Sequence, residues 1–363
     1  MTLAATSSRT IPVARPMIGA EERAAVDAVL AGGMLAQGPE VAAFEEEFSA
    51  HVDGRPCVAV GSGTSALLLG LLAAGIGAGD EVIVPSFSFA ATANAVRLAG
   101  ADPVFVDIEP DHFCLDPAAV AAAVGPRTAA VMPVHLYGHP ADMDALTVLA
   151  SRHGLLMAED AAQAHLAALH GRPVGAFGGV AAFSFYPTKN MTCGEGGMVV
   201  CADAATARRV RLLRNQGMER RYANEIVGYN ARLTDMAAAI GRVQLRKLPG
   251  WTTDRRRLAA SLSTGLSGHL RIPVVADGAE HVWHQYTVRV PGRDALVGAL
   301  AADGIGTGVY YPTPIHRLPA YDLELDLPET RRAALEVLSL PVHPGLDPTD
   351  VDHIVDAVTR RTS

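Results

Sequence analysis

The stretch Phe183-Ser184-Phe185-Tyr186-Pro187-Thr188-Lys189 is the part of the sequence on which the prediction of the fold depends. A strand-like aromatic run stops at Pro187, which cannot donate a hydrogen bond to a sheet. A single lysine follows at once, and glycines at positions 194, 196 and 197 allow the backbone to pass close to a bulky group. Desolvation at the end of a buried strand lowers the pKa of a lysine and makes its amine nucleophilic, which is the chemistry of a Schiff-base lysine. A surface lysine in a glycine-rich loop explains this stretch equally well.

Strand-like and helix-like segments alternate along the chain around this stretch. Strands are predicted at residues 57–60, 81–85, 103–106, 129–134, 155–159, 180–185 and 197–202. Helices are predicted between most of them, at residues 64–74, 90–99, 117–124 and 143–153, and after them at 204–215. This alternation indicates βαβ units, and therefore an α/β fold with a mostly parallel central sheet flanked by helices.

The last third of the chain has a different composition. Helices are predicted at 233–248 and 251–266, joined at Pro249-Gly250 in a long helical connection, then strands at 283–291 and 306–311 and helices at 293–303 and 350–361. Arg255-Arg256-Arg257 is most simply a solvated helix face. We therefore predict a large domain over residues 1–250, which includes an N-terminal arm, and a smaller C-terminal α+β domain over residues 251–363.

The overall composition argues against several classes of protein. Of the 363 residues, 49% are hydrophobic and 19% are charged, which suffices for a large core. The net charge of −8 argues against a nucleic-acid or anionic-membrane partner, and no apolar run is long enough to span a bilayer. The four cysteines lie far apart and the histidines lack metal-ligand spacing, so neither a disulfide framework nor a metal site is predicted. Residues 1–15 have no signal-peptide pattern, which favours a cytoplasmic protein.

The turn Gly61-Ser62-Gly63-Thr64-Ser65-Ala66 joins a predicted strand to a predicted helix. Main-chain amides and hydroxyls converge at the start of the helix, where the dipole favours an anion such as a phosphate. The turn also matches the dinucleotide fingerprint G-x-G-x-x-A, but that fold requires an acid at the carboxyl end of the second strand. Here Asp80-Glu81 precede that strand, so a phosphate is favoured over a dinucleotide. A tight turn with helix caps and no ligand is the remaining alternative.

Two acids, Glu159 and Asp160, end another apolar strand at the edge where open parallel sheets bind ligands. A buried carboxylate there can pair with a protonated ring nitrogen, and a lysine imine with such an acid is the partner set of pyridoxal phosphate. The two acids could instead only cap the next helix. His165, which follows them, is interpreted as a group that supports the site.

Two further segments supply candidate ligand contacts. Phe89, after the strand that ends at Pro85, could stack on a flat cofactor or simply pack in the core. Asn230 and Arg232, in a loop that opens a helix, are donors suited to an anion. Capping of that helix needs no ligand, so this loop leaves both alternatives open.

Together and in this order, these pieces resemble fold-type I pyridoxal-phosphate enzymes, with Lys189 29 residues after Asp160. The chain is more closely similar to the DegT/DnrJ/EryC1/StrS family of sugar aminotransferases. Besides the lysine stretch, the matching segments are Gly38-Pro39-Glu40, Gly79 to Pro85, Pro133 to Gly138, Glu159 to His165 and Leu338 to Pro341. They cover nearly the whole chain.

The resemblance implies a cofactor site for pyridoxal 5'-phosphate, with pyridoxamine 5'-phosphate as the intermediate form. Lys189 would form the Schiff base and Asp160 would face the pyridine nitrogen. The other implied contacts are Gln163 to the ring hydroxyl, Phe89 to the ring face, and Gly63, Thr64, Ser65 and Ser184 to the phosphate. Asn230 would reach the phosphate of the neighbouring subunit, which implies a homodimer with shared active sites.

The implied activity is transfer of an amino group from an amino acid, glutamate in this family, to a nucleotide-linked keto-deoxysugar. The loop at 224–232 is slightly more similar to C4-aminating members, which favours a 4-keto-6-deoxyhexose. A 3-keto-sugar nucleotide, a keto-cyclitol, and a catalytically silent ligand-binding or regulatory protein on the same fold are the alternatives. Because the dehydrases of the family carry histidine in place of the Schiff-base lysine, Lys189 favours transamination.

The substrate side of the site is less well defined by the sequence. Arg232, His284 and Tyr311 are the candidates for contacts to the substrate. The chain also departs from the family, with Leu166 at a common glycine position, Met34 at a frequent aromatic position and Ala237 at a frequent glutamine position. The last two positions lie nearer the substrate than the cofactor.

Overall fold

The computed structural model describes residues 10–362, so the first nine residues of the predicted N-terminal arm lie outside the described residues. The strands are β1 (Cys57–Val60), β2 (Glu81–Pro85), β3 (Asp102–Val106), β4 (Thr128–Val131), β5 (Leu156–Asp160), β6 (Ala168–Leu169), β7 (Arg172–Pro173), β8 (Val180–Ser184), β9 (Gly197–Cys201), β10 (Ala279–Glu280), β11 (Tyr286–Arg289) and β12 (Val337–Leu340). The helices are α1 (Ala20–Gly32), α2 (Pro39–Ser49), α3 (Gly63–Ala73), α4 (Ala91–Leu98), α5 (Pro117–Ala123), α6 (Met143–His153), α7 (Ala204–Arg214), α8 (Asp235–Leu266), α9 (Arg293–Ala302), α10 (Pro328–Glu336) and α11 (Pro348–Thr362).

The central sheet has seven strands in the order β1-β9-β8-β5-β4-β2-β3. From β3 to β8 neighbouring strands are parallel, and β9 is antiparallel to both β8 and β1. Alternate residues of β1 serve the two faces, since Val58 and Val60 join the core under α3 while Cys57 and Ala59 join the core under α2. The predicted α/β fold with a mostly parallel sheet is confirmed.

The register of the sheet determines where the chemistry-bearing residues lie. Asp160 of β5 pairs with Ala182 of β8, so the two parallel strands end at the same edge. The lysine loop begins just after β8, and α3 begins just after β1. Because the carboxyl ends of parallel strands share one edge, this is the edge at which a ligand site is expected.

A single helix, α8, spans both of the helical segments that the sequence predicted on either side of Pro249-Gly250. Pro249 lies inside it and is exposed, so the lost backbone hydrogen bond faces water. Both halves are held by burial, because Leu245 and Leu248 pack in one core and Leu258 and Leu262 in another. The long helical connection expected from the sequence is one continuous helix, because tertiary packing outweighs the local preference of proline. The proposed boundary at residue 250 lies within α8, and the division into two domains stays a prediction.

The C-terminal part packs β11, β12, α9 and α11 against the end of α8. The strand predicted at 306–311 is wrong, because the backbone of Gly308 pairs with Ser339 alone. Pro312 and Pro314 follow, and neither can donate to a sheet. The N-terminal segment is attached here as well, since Ile11 forms a bridge with Ile305.

Four cysteines, 57, 114, 193 and 201, are buried and free. Within residues 10–362, no cluster of three or more metal-ligating side chains is found. None of the helices in that part of the chain combines the length and apolarity needed to cross a lipid bilayer.

Candidate active site

Lys189 lies in an irregular loop between β8 and β9. Its amide donates to the carbonyl of Tyr186 at 2.9 Å, and the loop is anchored by Thr192, whose hydroxyl donates to the carbonyl of Phe185 at 2.8 Å. The side chain is partly exposed at the edge of the sheet. Desolvation of the ammonium lowers the pKa of Lys189 to about 8, although the charge of Asp160 acts in the opposite direction. A large fraction of this amine is therefore unprotonated at a mildly alkaline pH.

Asp160 is buried at the end of β5. Its Oδ2 accepts a hydrogen bond from the Thr92 hydroxyl at 2.8 Å, and its Oδ1 accepts one from the amide of Ala162 at 3.2 Å. Burial raises the pKa of Asp160, while these two donors and the charge of Lys189 oppose the rise. Because each group shifts the pKa of the other, the amine and the carboxyl group face one site.

An aromatic wall lies beside these two groups. Gln163 donates from Nε2 to the Tyr311 hydroxyl at 3.0 Å, and its Oε1 accepts from the amide of Tyr137 at 2.7 Å. The rings of Tyr311 and Phe89 lie 6.0 Å apart between centroids, and Phe89 is 59% exposed. Burial, followed by the charge of Asp160, raises the pKa of Tyr311, so its phenol is neutral. A flat ligand at this edge would find an exposed ring on which to stack.

The start of α3 forms a potential anion-binding site. The hydroxyl of Ser62 accepts from the amide of Ser65 at 3.1 Å and lies 3.0 Å from the hydroxyl of Ser65. The amides of Gly63 and Thr64 have no partner within the helix, and the first turn carries no acid. A Cβ built on Gly63 would lie 2.7 Å from Cβ of Ser184, so the helix start is pressed against the end of β8. The free amides, the positive end of the helix dipole and the hydroxyls are therefore all directed at one position, which suits an anion.

The 228–235 loop lies beside this turn, but its two predicted residues do not point into the anion-binding site of their own chain. Asn230 is exposed. Arg232 donates to Oδ1 of Asn215 at 2.9 Å, and the carbonyl of Ala231 accepts from the amide of Gly61 at 2.9 Å. The loop is thus fixed next to the potential anion-binding site of its own chain, and Asn230 faces outward.

His284 lies behind the lysine loop. It is buried, and its Nδ1 is 3.1 Å from Oδ1 of Asn190, the residue that follows Lys189. Burial, followed by the charge of Lys189, holds the pKa of His284 well below its usual range, so the ring is neutral. A neutral Nδ1–H donates to the Asn190 oxygen.

His165 and Leu166 follow the acidic pair. Both ring nitrogens of His165 are buried without a hydrogen-bond partner among the described residues, and burial lowers its pKa to about 3. The ring packs against those of Phe183 and Phe185. Leu166 has a φ of 66°, a conformation that glycine adopts at lower cost.

Reasoning from the sequence missed several residues that the structure brings to this site. Thr92, in the first turn of α4, contacts Asp160, and Ser88, before that helix, contacts Thr92; their spacing of four at a helix start was an available signal. Arg255 was predicted to lie on a solvated face, but it is buried and donates to the carbonyl of Trp283 at 3.0 Å. Burial lowers the pKa of Arg255 to about 10. Its spacing of three and seven from Leu258 and Leu262 places it on the apolar stripe of α8.

Comparison with known proteins identifies the family. The sequence model of the DegT/DnrJ/EryC1/StrS aminotransferase family matches residues 16–359. The chain is 48% identical over 346 residues to dTDP-3-amino-3,4,6-trideoxy-alpha-D-glucose transaminase of Streptomyces venezuelae, which covers 93% of this chain and 91% of that protein. It is 44% identical over 307 residues to UDP-N-acetyl-3-dehydro-alpha-D-glucosamine 3-aminotransferase of Acidithiobacillus ferrooxidans, covering 84% and 83% respectively. The crystal structure of S. venezuelae DesV in complex with a ketimine intermediate matches with a TM-score of 0.93 at 48% identity, over 95% of both chains.

These matches assign the chain to the pyridoxal-phosphate-dependent aminotransferases of fold type I. The chain belongs to the DegT/DnrJ/EryC1/StrS aminotransferase family. The predictions of family, fold, enzyme class and cofactor are confirmed.

Proposed function

We propose that the protein transfers an amino group from L-glutamate to C3 of a nucleotide-linked keto-deoxysugar. The assignment of transamination rests on one observation: the amine of Lys189, whose pKa is lowered, and the buried carboxyl group of Asp160 lie beside a potential anion-binding site at the start of α3. The names of the two relatives above, both of which refer to an amino or keto group at position 3, favour C3. This choice replaces the preference for a 4-keto-6-deoxyhexose that the 224–232 loop suggested.

The residues at this edge fit pyridoxal phosphate, and the close contact at Gly63 is the structural ground for the fit. Only a residue without Cβ lets the first amides of α3 approach the hydroxyl of Ser184. We assign the phosphate to Gly63, Thr64, Ser65 and Ser184, the ring face to Phe89, the ring hydroxyl to Gln163, the ring nitrogen to Asp160 and the aldehyde to Lys189. Gln163 keeps one Nε2 hydrogen for this role while the other binds Tyr311.

When bound, pyridoxal phosphate supplies an electron sink that stabilises negative charge at the Cα of the amino donor. Lys189 Nζ would take the proton from that Cα and deliver it to the cofactor carbon that bears the amino nitrogen, and its lowered pKa suits a base working near neutral pH. Asp160 holds a proton at the ring nitrogen through its carboxylate. Phe89 and Tyr311 orient the ring and exclude water from one face.

We further propose that the protein is a homodimer whose two sites share residues. Asn230 faces outward, where the resemblance places a contact with the phosphate of the neighbouring subunit. Several large apolar side chains are exposed, which supports burial against a second copy: Leu30, Met34, Leu35, Tyr186, Tyr222, Val227 and Tyr229. Four free cysteines support a reducing, cytoplasmic location.

The structure supports the three candidate substrate contacts to different degrees, namely Arg232, His284 and Tyr311. Tyr311 lies at the open aromatic wall and is the strongest of the three. Arg232 donates to Asn215 and lies near the outward-facing Asn230, where a guanidinium group suits an anionic group of a substrate. His284, buried behind Asn190, is better suited to hold the lysine loop.

Two measurements test the proposed function. Cofactor-loaded protein reduced with borohydride should carry its label on Lys189, and Lys189→Ala should carry none and lack turnover. The protein with glutamate should then be supplied with 3-keto and 4-keto sugar nucleotides and with a keto-cyclitol, and the products followed by mass spectrometry. Preference for the 3-keto acceptor is expected. Preference for either other acceptor overturns the C3 assignment, and no turnover with bound cofactor would favour a silent regulatory protein.

A further inference from the structure

The hydrogen bonds around Asp160 have a defined direction. The carboxylate is an acceptor when ionised, so the Thr92 hydroxyl, 2.8 Å from Oδ2, is the donor. That hydroxyl has only one proton, and its contact of 2.8 Å with the Ser88 hydroxyl must therefore be donated by Ser88. The result is a chain of donors that runs from Ser88 to Thr92 to Asp160.

We propose that Ser88 and Thr92 are positioning residues that hold Asp160 as an oriented carboxylate facing the ring nitrogen of the cofactor. This inference rests on the proposed role of Asp160. Thr92 fixes one carboxylate oxygen and the amide of Ala162 fixes the other, so the carboxylate cannot rotate. The lone pairs that remain are free for the ring nitrogen.

Burial makes this chain of hydroxyls effective. Thr92 is fully buried and Ser88 is 4% exposed, so little water competes for either hydroxyl. Linked hydrogen bonds polarise one another in a low-dielectric interior. Thr92 also lies in the first turn of α4, where the helix dipole favours a nearby negative charge.

The charges around Asp160 determine what the loss of the Thr92 hydroxyl does. Burial raises the pKa of Asp160, and the groups that lower it after Thr92 and Ala162 are Lys189 on the β8–β9 loop and His135 after β4. Tyr311, from the C-terminal part, is neutral. Removal of the Thr92 donor therefore raises the pKa of Asp160. Cofactor affinity requires the ionised carboxylate, so it is present above that pKa and is lost as pH falls through it.

The test measures affinity of the full-length apoprotein for pyridoxal phosphate by absorbance titration across a pH series. Thr92→Val keeps the shape of the side chain and removes its donor. We expect roughly tenfold weaker binding in the acid range, the size of the loss of one hydrogen bond to a charged group, and an acid limb moved to higher pH. Thr92→Ser should restore the wild-type profile, and Ser88→Ala should shift it less in the same direction.

A matched control is available at Thr330. This residue is buried, and its hydroxyl has no hydrogen-bond partner within residues 10–362. Thr330→Val should leave both the affinity and its pH profile unchanged. An unshifted acid limb in Thr92→Val, or a uniform loss that Thr92→Ser does not restore, overturns the proposal.

Asp160→Asn separates this inference from the proposed function. The variant should bind the cofactor weakly and lack the part of the acid limb that Asp160 contributes, because its amide does not titrate. If Asp160→Asn binds and turns over like the wild type, the assigned role of Asp160 fails. If Asp160→Asn is impaired while Thr92→Val keeps the wild-type profile, only the role of Ser88 and Thr92 fails.

Discussion

Two opposing influences set the pKa of Lys189, since desolvation lowers it to about 8 and the charge of Asp160 acts to raise it. Asp160→Asn removes only the second influence, so the pKa of Lys189 should fall below about 8. The neutral amine reacts with acylating reagents, and its fraction is lost as pH falls through the pKa. Competitive labelling of apoprotein with trace acetic anhydride across pH, read by mass spectrometry, should show the inflection of Lys189 at a lower pH in the variant. An inflection at higher pH would contradict this charge pairing.

Gly63 is the position at which a single methyl group should damage cofactor binding. Gly63→Ala places a Cβ 2.7 Å from Cβ and 3.3 Å from Cα of Ser184, two atoms that no side-chain rotation can move away. The start of α3 must then move from β8, and we expect roughly a tenfold loss of pyridoxal-phosphate affinity, the scale of one charged hydrogen bond.

Gly70→Ala is the control for this change because it lies in the same helix, and its new Cβ would meet Val199 at an ordinary 3.5 Å. Titration of both apoproteins should show weak binding for Gly63→Ala and wild-type binding for Gly70→Ala. Equal affinities would mean that the helix start does not hold the phosphate.

At the scale of single residues, the sequence was informative where chemistry demands a residue type. Lys189, Asp160 and Gly63 were singled out because an amine, an acid and a missing side chain each leave a local pattern. Thr92 was not, since its importance comes from a contact with Asp160, 68 positions away. Arg255 was misjudged because three adjacent arginines suggest solvent, whereas the helical period alone distinguishes the inward one.

Among the elements, α8 offers a direct test of helix energetics. Gly250 lies in its interior with open space around the position of a Cβ, so Gly250→Ala should stabilise the protein by about 1 kcal/mol. Pro249→Ala restores a backbone donor and should stabilise it by about 1 to 3 kcal/mol. Denaturation midpoints at fixed protein and cofactor concentration measure both changes.

Ala260→Gly makes the reverse change at an exposed site of the same helix and should lower the midpoint. If Ala260→Gly destabilises the protein while Gly250→Ala has no effect, the helix is not continuous at Pro249.

Most elements of the large α/β part were predictable, because hydrophobic runs alternate with helical periods and many of them are bounded by glycine or proline. The β11–β12 pair shows the limit of this reasoning. Leu338 to Pro341 was recognised as a family segment, but its pairing with Tyr286–Arg289 joins residues about 50 positions apart. The strands β6, β7 and β10 have two residues each, too few to leave a periodic pattern.

For the whole molecule, the proposed dimer depends on the exposed loop before α8. Val227 is 91% exposed, so Val227→Asp should cost the isolated subunit little. Burial of that charge against a second copy is unfavourable, and we expect a shift toward monomer with weaker cofactor binding, because Asn230 of the neighbouring subunit is lost. Ultracentrifugation gives the mass, and absorbance titration gives the affinity.

Leu335→Asp serves as the control, since Leu335 is 64% exposed on α10, outside that loop. It should leave the mass and the affinity unchanged. A dimeric Val227→Asp protein with normal cofactor binding would contradict the placement of the interface.

A protein of this fold can exchange parts with its relatives only where the exchange leaves both cores intact. The 32 residues of α8 extend about 48 Å, and the same helix supplies Leu245 to one core and Leu262 to another. A recombination crossover inside it joins two half-helices whose apolar stripes were selected against different neighbours. A crossover in residues 267–278 leaves the helix uninterrupted, but Leu258 and Leu262 must then pack against C-terminal residues of the other parent. In natural recombination or in chimera design, the C-terminal segment that carries Tyr311 is therefore exchanged successfully only between relatives whose α8 presents a compatible apolar stripe to it.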